Sequence, residues 1–313
     1  MEFGRIHVSF LPESIILYIF TFLDVHSLAR AAKVNKQWNR ISYDRLLWTS
    51  VYLDDCKLSK RKIWKLVRAR LNDYLKQLHI KPSLKSDKDV VSDAIFQHLN
   101  SISPGLQQLK LLRCDLKSLR AIHLPRTLSS IDLSYTAIPA NWFSELPKEN
   151  FLPLLEELIL SNCSRIDDRE LMNIAVIKSL RKLNLSHCYR ISNSGIRTIC
   201  EKLKELLQLN ITGCSRVNDL ALQSISRNLK NLDSLDISNC NRITDRGLEC
   251  IAELKDVRYV NISHCKAVAE TTILNLCRSI PLISLNITNC GLSPECVRTA
   301  KCYLPTNSQI IDQ

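Results

Sequence analysis

Glycine is scarce, with six residues in 313. Backbone cradles for phosphate therefore have little to be built from. No CxxC pair occurs among the thirteen cysteines, and HExxH, nucleophile and glycine-rich motifs are missing too. No catalytic constellation emerges, so the chain is expected to be non-catalytic and to hold no cofactor or metal. His187 and Cys188 are adjacent on a predicted strand, so they face opposite ways and make a poor metal pair. Long apolar runs are also lacking. The longest nearly apolar stretch, Ile15 to Leu23, falls far short of the ~20 residues that cross a bilayer. Met1 to His7 carries charges and no apolar segment, so neither a secretory signal nor a membrane partner is expected. An odd number of cysteines with no pairing pattern suits a reduced cytoplasmic and/or nuclear setting, with thiols used as small buried hydrophobes.

What the chain does have is repetition. Leu180-Leu183-Leu185-Cys188 reads LxxLxLxxC, and the frame recurs at Cys163, Cys214, Cys240, Cys265 and Cys290 with steps of 25 or 26 residues. Looser copies end at Cys56, Ser83, Cys114 and Thr136. This frame and period are the signature of leucine-rich repeats. The alternating apolar and polar residues predict a short strand in each copy. A β-branched residue and a capping residue follow, as in Arg242-Ile243-Thr244-Asp245, and then an amphipathic helix. About ten strand–turn–helix units would stack into an α/β, right-handed solenoid or horseshoe, each burying its neighbour's apolar side. The first half is uneven. Little room remains for a helix between Cys114 and Leu128, and Pro139 to Pro153, with Trp142 and Phe143, reads as a longer return on the convex side. Ser293-Pro294 opens a closing helix that ends at Tyr303, and residues 304–313 read as a loose tail.

In such a stack the residue between the last two apolar positions faces the concave surface. The candidates for holding a target protein are Tyr52, His79, Lys110, Asp132, Asn184, Asn210, Asp236, Asn261 and Asn286, joined by His187 and His264 just before the cysteine column. Asn and Ser also suit hydrogen-bond ladders between stacked strands, so part of this bias is structural. Arg165, Arg190, Arg216 and Arg242 form a second column at the rim. They read either as an anionic ligand groove or as solvated turn residues.

Net charge is +12. Lys57 to Lys76 holds eight basic residues, with Ile63, Leu66, Val67, Leu71 and Leu75 at helical spacing. That pattern is first of all the solvated face of a helix. No aromatic platform or reading motif accompanies it, so nucleic acid is not an expected partner.

Residues 10–50 differ from all that follows. From Glu13 to Leu23, apolar residues cover most of the helical circumference, so that helix must be buried on most sides. Asp24 and Asn35 can cap two further short helices. Three such helices cannot bury this surface alone, and the repeats reach only part of it, so an external cover is implied. Leu11-Pro12, Ile19, Leu23, Leu28, Val34, Trp38, Asp44 and Leu47-Trp48 resemble the F-box motif in order and spacing, with Asn35 where that motif usually has cysteine. The whole chain resembles F-box/leucine-rich repeat proteins: a lead (1–9), an F-box (10–50), an array with its closing helix (51–303) and a tail (304–313). Leu124-Pro125, Thr127-Leu128, Trp142 and Pro153 to Glu156 resemble one particular member of that family.

The resemblance implies a substrate-recognition subunit of an SCF-type cullin–RING ubiquitin ligase. Leu11, Pro12, Ile15, Ile19, Leu23, Val34 and Trp38 would dock a Skp-type adaptor, and through it the cullin and RING subunits. The alternative is a plain interaction scaffold whose first helices merely cap the array.

Overall fold

The computed structural model describes residues 11–146 and 151–312. The expected lead, residues 1–9, and Phe10 lie outside the described residues, as does the side chain of Cys56.

Three short helices open the fold: α1 (Glu13–Phe20), α2 (Val25–Ala31) and α3 (Lys36–Ile41). The two expected caps are in place. The Asp24 carboxylate accepts the Ser27 N–H at 2.6 Å, and the Asn35 side chain accepts the Trp38 N–H at 2.7 Å. Pro12 occupies the cap position itself, with Glu13 the first helical residue. A 3₁₀ turn, Arg45–Trp48, leads into the array. Arg70 clasps the junction. Its guanidinium lies 3.5 Å from the Tyr43 ring centre and donates to the Ser42 carbonyl at 3.2 Å.

The array is one parallel sheet of eleven strands in sequence order. These are β1 (Ser50–Cys56), β2 (Gln77–Pro82), β3 (Gln108–Leu111), β4 (Ser130–Asp132), β5 (Glu157–Ile159), β6 (Lys182–Asn184), β7 (Gln208–Asn210), β8 (Ser234–Asp236), β9 (Tyr259–Asn261), β10 (Ser284–Asn286) and β11 (Gln309–Ile311). The register is constant: Leu158 pairs with Leu183, Leu183 with Leu209, and Leu209 with Leu235. From β1 to β10 each central residue is thus buried among aliphatic neighbours, worth roughly 2 kcal/mol apiece. Ten units were expected. The eleventh strand lies in the supposed tail, where Ile310 pairs with Leu285 and the Ser308 hydroxyl bonds the Leu282 carbonyl.

Helices form the other layer: α4 (Lys60–Arg70), α5 (Asp93–Ile102), α6 (Asp168–Ile174), α7 (Asn193–Lys202), α8 (Asp219–Asn228), α9 (Asp245–Ile251), α10 (Glu270–Ser279) and α11 (Pro294–Tyr303). The basic helix is shorter than the apolar spacing over 57–76 predicts. Leu71 ends it in extended conformation, and Leu75 is buried in the lead-in to β2. In the uneven middle, 3₁₀ turns at Ala121–His123 and Trp142–Glu145 replace helices. Trp142 is buried and donates its indole N–H to the Leu119 carbonyl at 2.7 Å.

The cysteine column closes each rung. The Cys188 thiol donates to the Leu160 carbonyl at 3.2 Å, Cys214 to Leu185 at 3.3 Å and Cys240 to Ile211 at 3.2 Å. The column is therefore apolar packing plus a weak donor to the unit before it. Burial pushes the Cys214 and Cys240 thiols up to about 12, so they stay protonated and unreactive.

Candidate interaction surfaces

Helix α1 is buried on one side only. Ile16 and Phe20 enter the core, and Phe20 meets the Trp38 ring edge-on at 5.3 Å. On the other side Ile15 is 45% exposed, Tyr18 63%, Ile19 42% and Phe22 73%, with Val34 at 60% nearby in sequence after α2. Ile15, Tyr18, Ile19 and Phe22, at the spacing of one helical stripe and all facing water, make a candidate interaction surface rather than scattered exposure. Arg40 and Glu13 form an ion pair that ties α3 to the start of α1. The helix that carries the strip is thus held by buried contacts on its opposite side.

Of the seven residues expected to dock an adaptor, Pro12, Ile15, Ile19 and Val34 are exposed. Leu11, Leu23 and Trp38 are half-buried and pack against the core. The Trp38 indole N–H is buried without a hydrogen-bond partner among the described residues. Tyr18 and Phe22 belong to the strip but were not in the expected set. Their rings meet edge-on at 5.1 Å. Their signal was available, since 15, 18, 19 and 22 are the spacing of one helical stripe.

The concave face holds the other candidates. Asp132, Asn184, Asn210, Asp236, Asn261 and Asn286 line up along the sheet in register. Each turns a side-chain oxygen back to its own chain. Asn184 accepts the Ser186 N–H at 2.9 Å, Asn210 that of Thr212 at 2.9 Å, and Asp236 that of Ser238 at 3.0 Å. These turns steer the chain off each strand, so the residue type is fixed largely by the fold. A second row lies two residues earlier on the same side: Glu157, Lys182, Gln208, Ser234 and Tyr259. Four rungs of the two rows enclose a shallow groove of about 230 Å³. Period-two reasoning from Asn184 points to Lys182, which the expected set omits. Ser186, by contrast, is buried and bonded to the Ser161 hydroxyl at 2.7 Å.

At the wide end, the Tyr52 hydroxyl bonds Gln77 at 2.8 Å and its ring stands edge-on to His79. His79 lies 3.3 Å from Asp54. Burial holds the His79 imidazole below its ordinary pKa despite the pull of Asp54, so the contact is that of a neutral ring. Lys110 is exposed.

His187 and His264 sit in a column of left-handed backbone. Arg113, Tyr135, Asn162, His187, Gly213, Asn239, His264 and Asn289 have φ from 57° to 66°, Gly213 itself being at 66°. Gly213 is needed twice over, because a Cβ there would meet the His187 ring at 2.5 Å.

A family model for an F-box-like segment matches residues 8–54, and one for a leucine-rich repeat matches residues 176–200 and 228–252. The chain carries an F-box-like segment and leucine-rich repeats. It is 30% identical over 188 residues to the Homo sapiens F-box/LRR-repeat protein 12, covering 59% of this chain and 58% of that protein. The Mus musculus protein of the same name is 29% identical over 195 residues, covering 62% and 60%. The chain thus spans about three fifths of the length of these curated relatives. Among solved structures, an internalin from Listeria monocytogenes has the same fold, with a TM-score of 0.55 at 16% identity over 93% of this chain and 89% of that one.

Proposed function

We propose that this chain is a substrate-recognition subunit of an SCF-type cullin–RING ubiquitin ligase. The observation that carries the reading is the exposed strip of α1 and the turn that follows it, with Ile15, Tyr18, Ile19 and Phe22 facing solvent while the opposite side of the helix is anchored. Covering each of these side chains is worth roughly 1–2 kcal/mol. The F-box-like segment would dock a Skp-type adaptor through this strip, and the cullin and RING subunits would join through the adaptor. The repeat array would hold a target protein. Bond making would belong to other subunits, and this chain would raise the effective concentration of target lysines near the transfer site.

The test is coexpression with a Skp-type adaptor followed by size exclusion. Co-elution is the expected result, weakened when Leu11 and Pro12 are both changed to alanine. A chain that elutes alone would sink this reading and leave an interaction scaffold whose first helices cap the array.

A further inference from the structure

The helix layer is broken where Trp142–Glu145 stands in place of a full helix. Beside the break, the lateral edge of the array opens a cavity of about 330 Å³ with Asn141, Arg165, Arg169, Glu170 and Arg190 in its walls. Arg165 and Arg190 stand on the turns after β5 and β6, and Arg169 on the first turn of α6. Among the described residues none of these three guanidiniums forms an ion pair.

Glu170 is a second, separate observation. It is only 3% exposed. One carboxylate oxygen accepts the Phe143 N–H at 3.3 Å and the Asn173 amide at 3.5 Å, and the other, Oε1, is buried with no hydrogen-bond partner among the described residues. In the next three units the same helix position is Gly195, Ala221 and Gly247. It is small there because the preceding helix crowds it. Before α6 the described residues form only the 3₁₀ turn Trp142–Glu145, and a longer carboxylate side chain occupies the position. A buried oxygen left without a donor costs roughly 1–3 kcal/mol, and a ligand bringing an N–H relieves it.

Three repeats on, the pattern returns. Arg242 and Arg246 repeat the four-residue spacing of Arg165 and Arg169, and line a second cavity of about 440 Å³ with Asp219. Arg216 lies between the two clusters, 3.5 Å from the Arg190 carbonyl.

We propose that this edge is an interaction surface separate from the concave face and from the α1 strip, and that it takes an extended anionic peptide segment of a partner protein. One acidic cluster of the segment sits at Arg165, Arg169 and Arg190, and a second at Arg242 and Arg246. Carboxylate and phosphate oxygens share the chemistry that a guanidinium fork recognises. A peptide also brings a main-chain N–H for Glu170 Oε1, which has none among the described residues. A sugar–phosphate backbone brings only acceptors, and its unbroken charge would meet the Asp167 and Asp219 side chains in the cavity walls. Strands repeat at ~4.8 Å and packed helices at ~10 Å. Three repeats therefore separate the clusters by ~14–30 Å, on the order of four to nine residues of extended chain.

The proposal does not rest on the adaptor reading, because the test measures peptide binding to this chain alone. Fluorescein-labelled peptides carry two short Asp/Glu clusters joined by about six Gly/Ser residues, two phosphoserine clusters on the same linker, or Asn/Gln in place of the acids. A single-stranded oligonucleotide of matched charge is the fourth probe. Anisotropy at near-physiological salt is expected to show saturable binding of an anionic peptide and none of the neutral one. The acidic and phosphorylated probes tell which source is preferred. Arg165→Glu with Arg190→Glu, and separately Arg242→Glu with Arg246→Glu, are each expected to weaken binding at least about tenfold. The pair Lys65→Glu with Arg68→Glu, an equal charge change on α4, is expected to leave it intact. Urea midpoints matching the unaltered chain show that the variants are folded. No saturable binding of either anionic peptide, equal loss in the α4 control, or tighter binding of the oligonucleotide would each overturn the proposal.

Discussion

The Asp168 carboxylate accepts both the backbone N–H of Ser192 at 2.8 Å and its hydroxyl at 2.6 Å. Asp168 is the first residue of α6 and Ser192 is the cap of α7. Asp219 holds Thr244 in the same way at 2.8 and 2.7 Å. Asn193, Asp245 and Glu270 reach the cap residues Asn218, Ala269 and Ser293. From α6 to α11, each helix thus holds the start of the next. Solenoid stability is a sum over units and interfaces, so this ladder is a large part of what joins neighbours.

Asp168→Ala is expected to lower stability by about 1–2 kcal/mol, since it strands the Ser192 donors in a partly buried turn. Asp168→Asn should retain about half of the effect. Urea midpoints of the two variants check this, and equal midpoints for Asp168→Ala and the unaltered chain would contradict it.

Gly195→Ala tests the same interface from the other side. In an open helix interior the change gains about 1 kcal/mol. Here a Cβ would lie 2.8 Å from the Leu171 methyl and still closer to the Asp168 carboxylate. A lowered melting temperature is therefore expected, with Gly247→Ala behaving alike against Leu222 and Asp219.

The buried thiols set an alkaline limit. Burial raises Cys214 and Cys240 from 9.0 to about 12 and Cys265 to about 11. The folded value lies above the unfolded one, so this contribution is complete below about pH 9 and is lost as pH rises towards the folded value. Each such thiol should cost about 1.4 kcal/mol per pH unit in that window. Urea midpoints are expected to fall above about pH 9, and less steeply when Cys214 and Cys240 are both alanine. Identical slopes for the two chains would refute the assignment.

The repeat frame makes the strand positions and the cysteine column legible in the sequence, and the capping residues Asp24 and Asn35 are legible from the residue type that precedes each short helix. The strand at Gln309–Ile311 was not legible. It follows no cysteine frame, and its pairing depends on an open sheet edge left by β10. Asn184, Asn210 and Asp236 lie on strands of the sheet, yet their side chains are committed to turns. A residue such as Asn184 looks the same in sequence whether it faces a partner or its own backbone. Glu170 is a further case, since its environment depends on the 3₁₀ turn Trp142–Glu145 before it.

The central claim rests on the α1 strip, and a calorimetric titration of the chain with a Skp-type adaptor tests it most directly. Ile19→Asp and Phe22→Asp remove exposed side chains that the core does not need. Each is expected to weaken the adaptor at least about tenfold, a loss of about 1.4 kcal/mol or more, with the melting temperature unchanged. Unchanged adaptor affinity in both variants, or no measurable binding by the unaltered chain, would contradict the account.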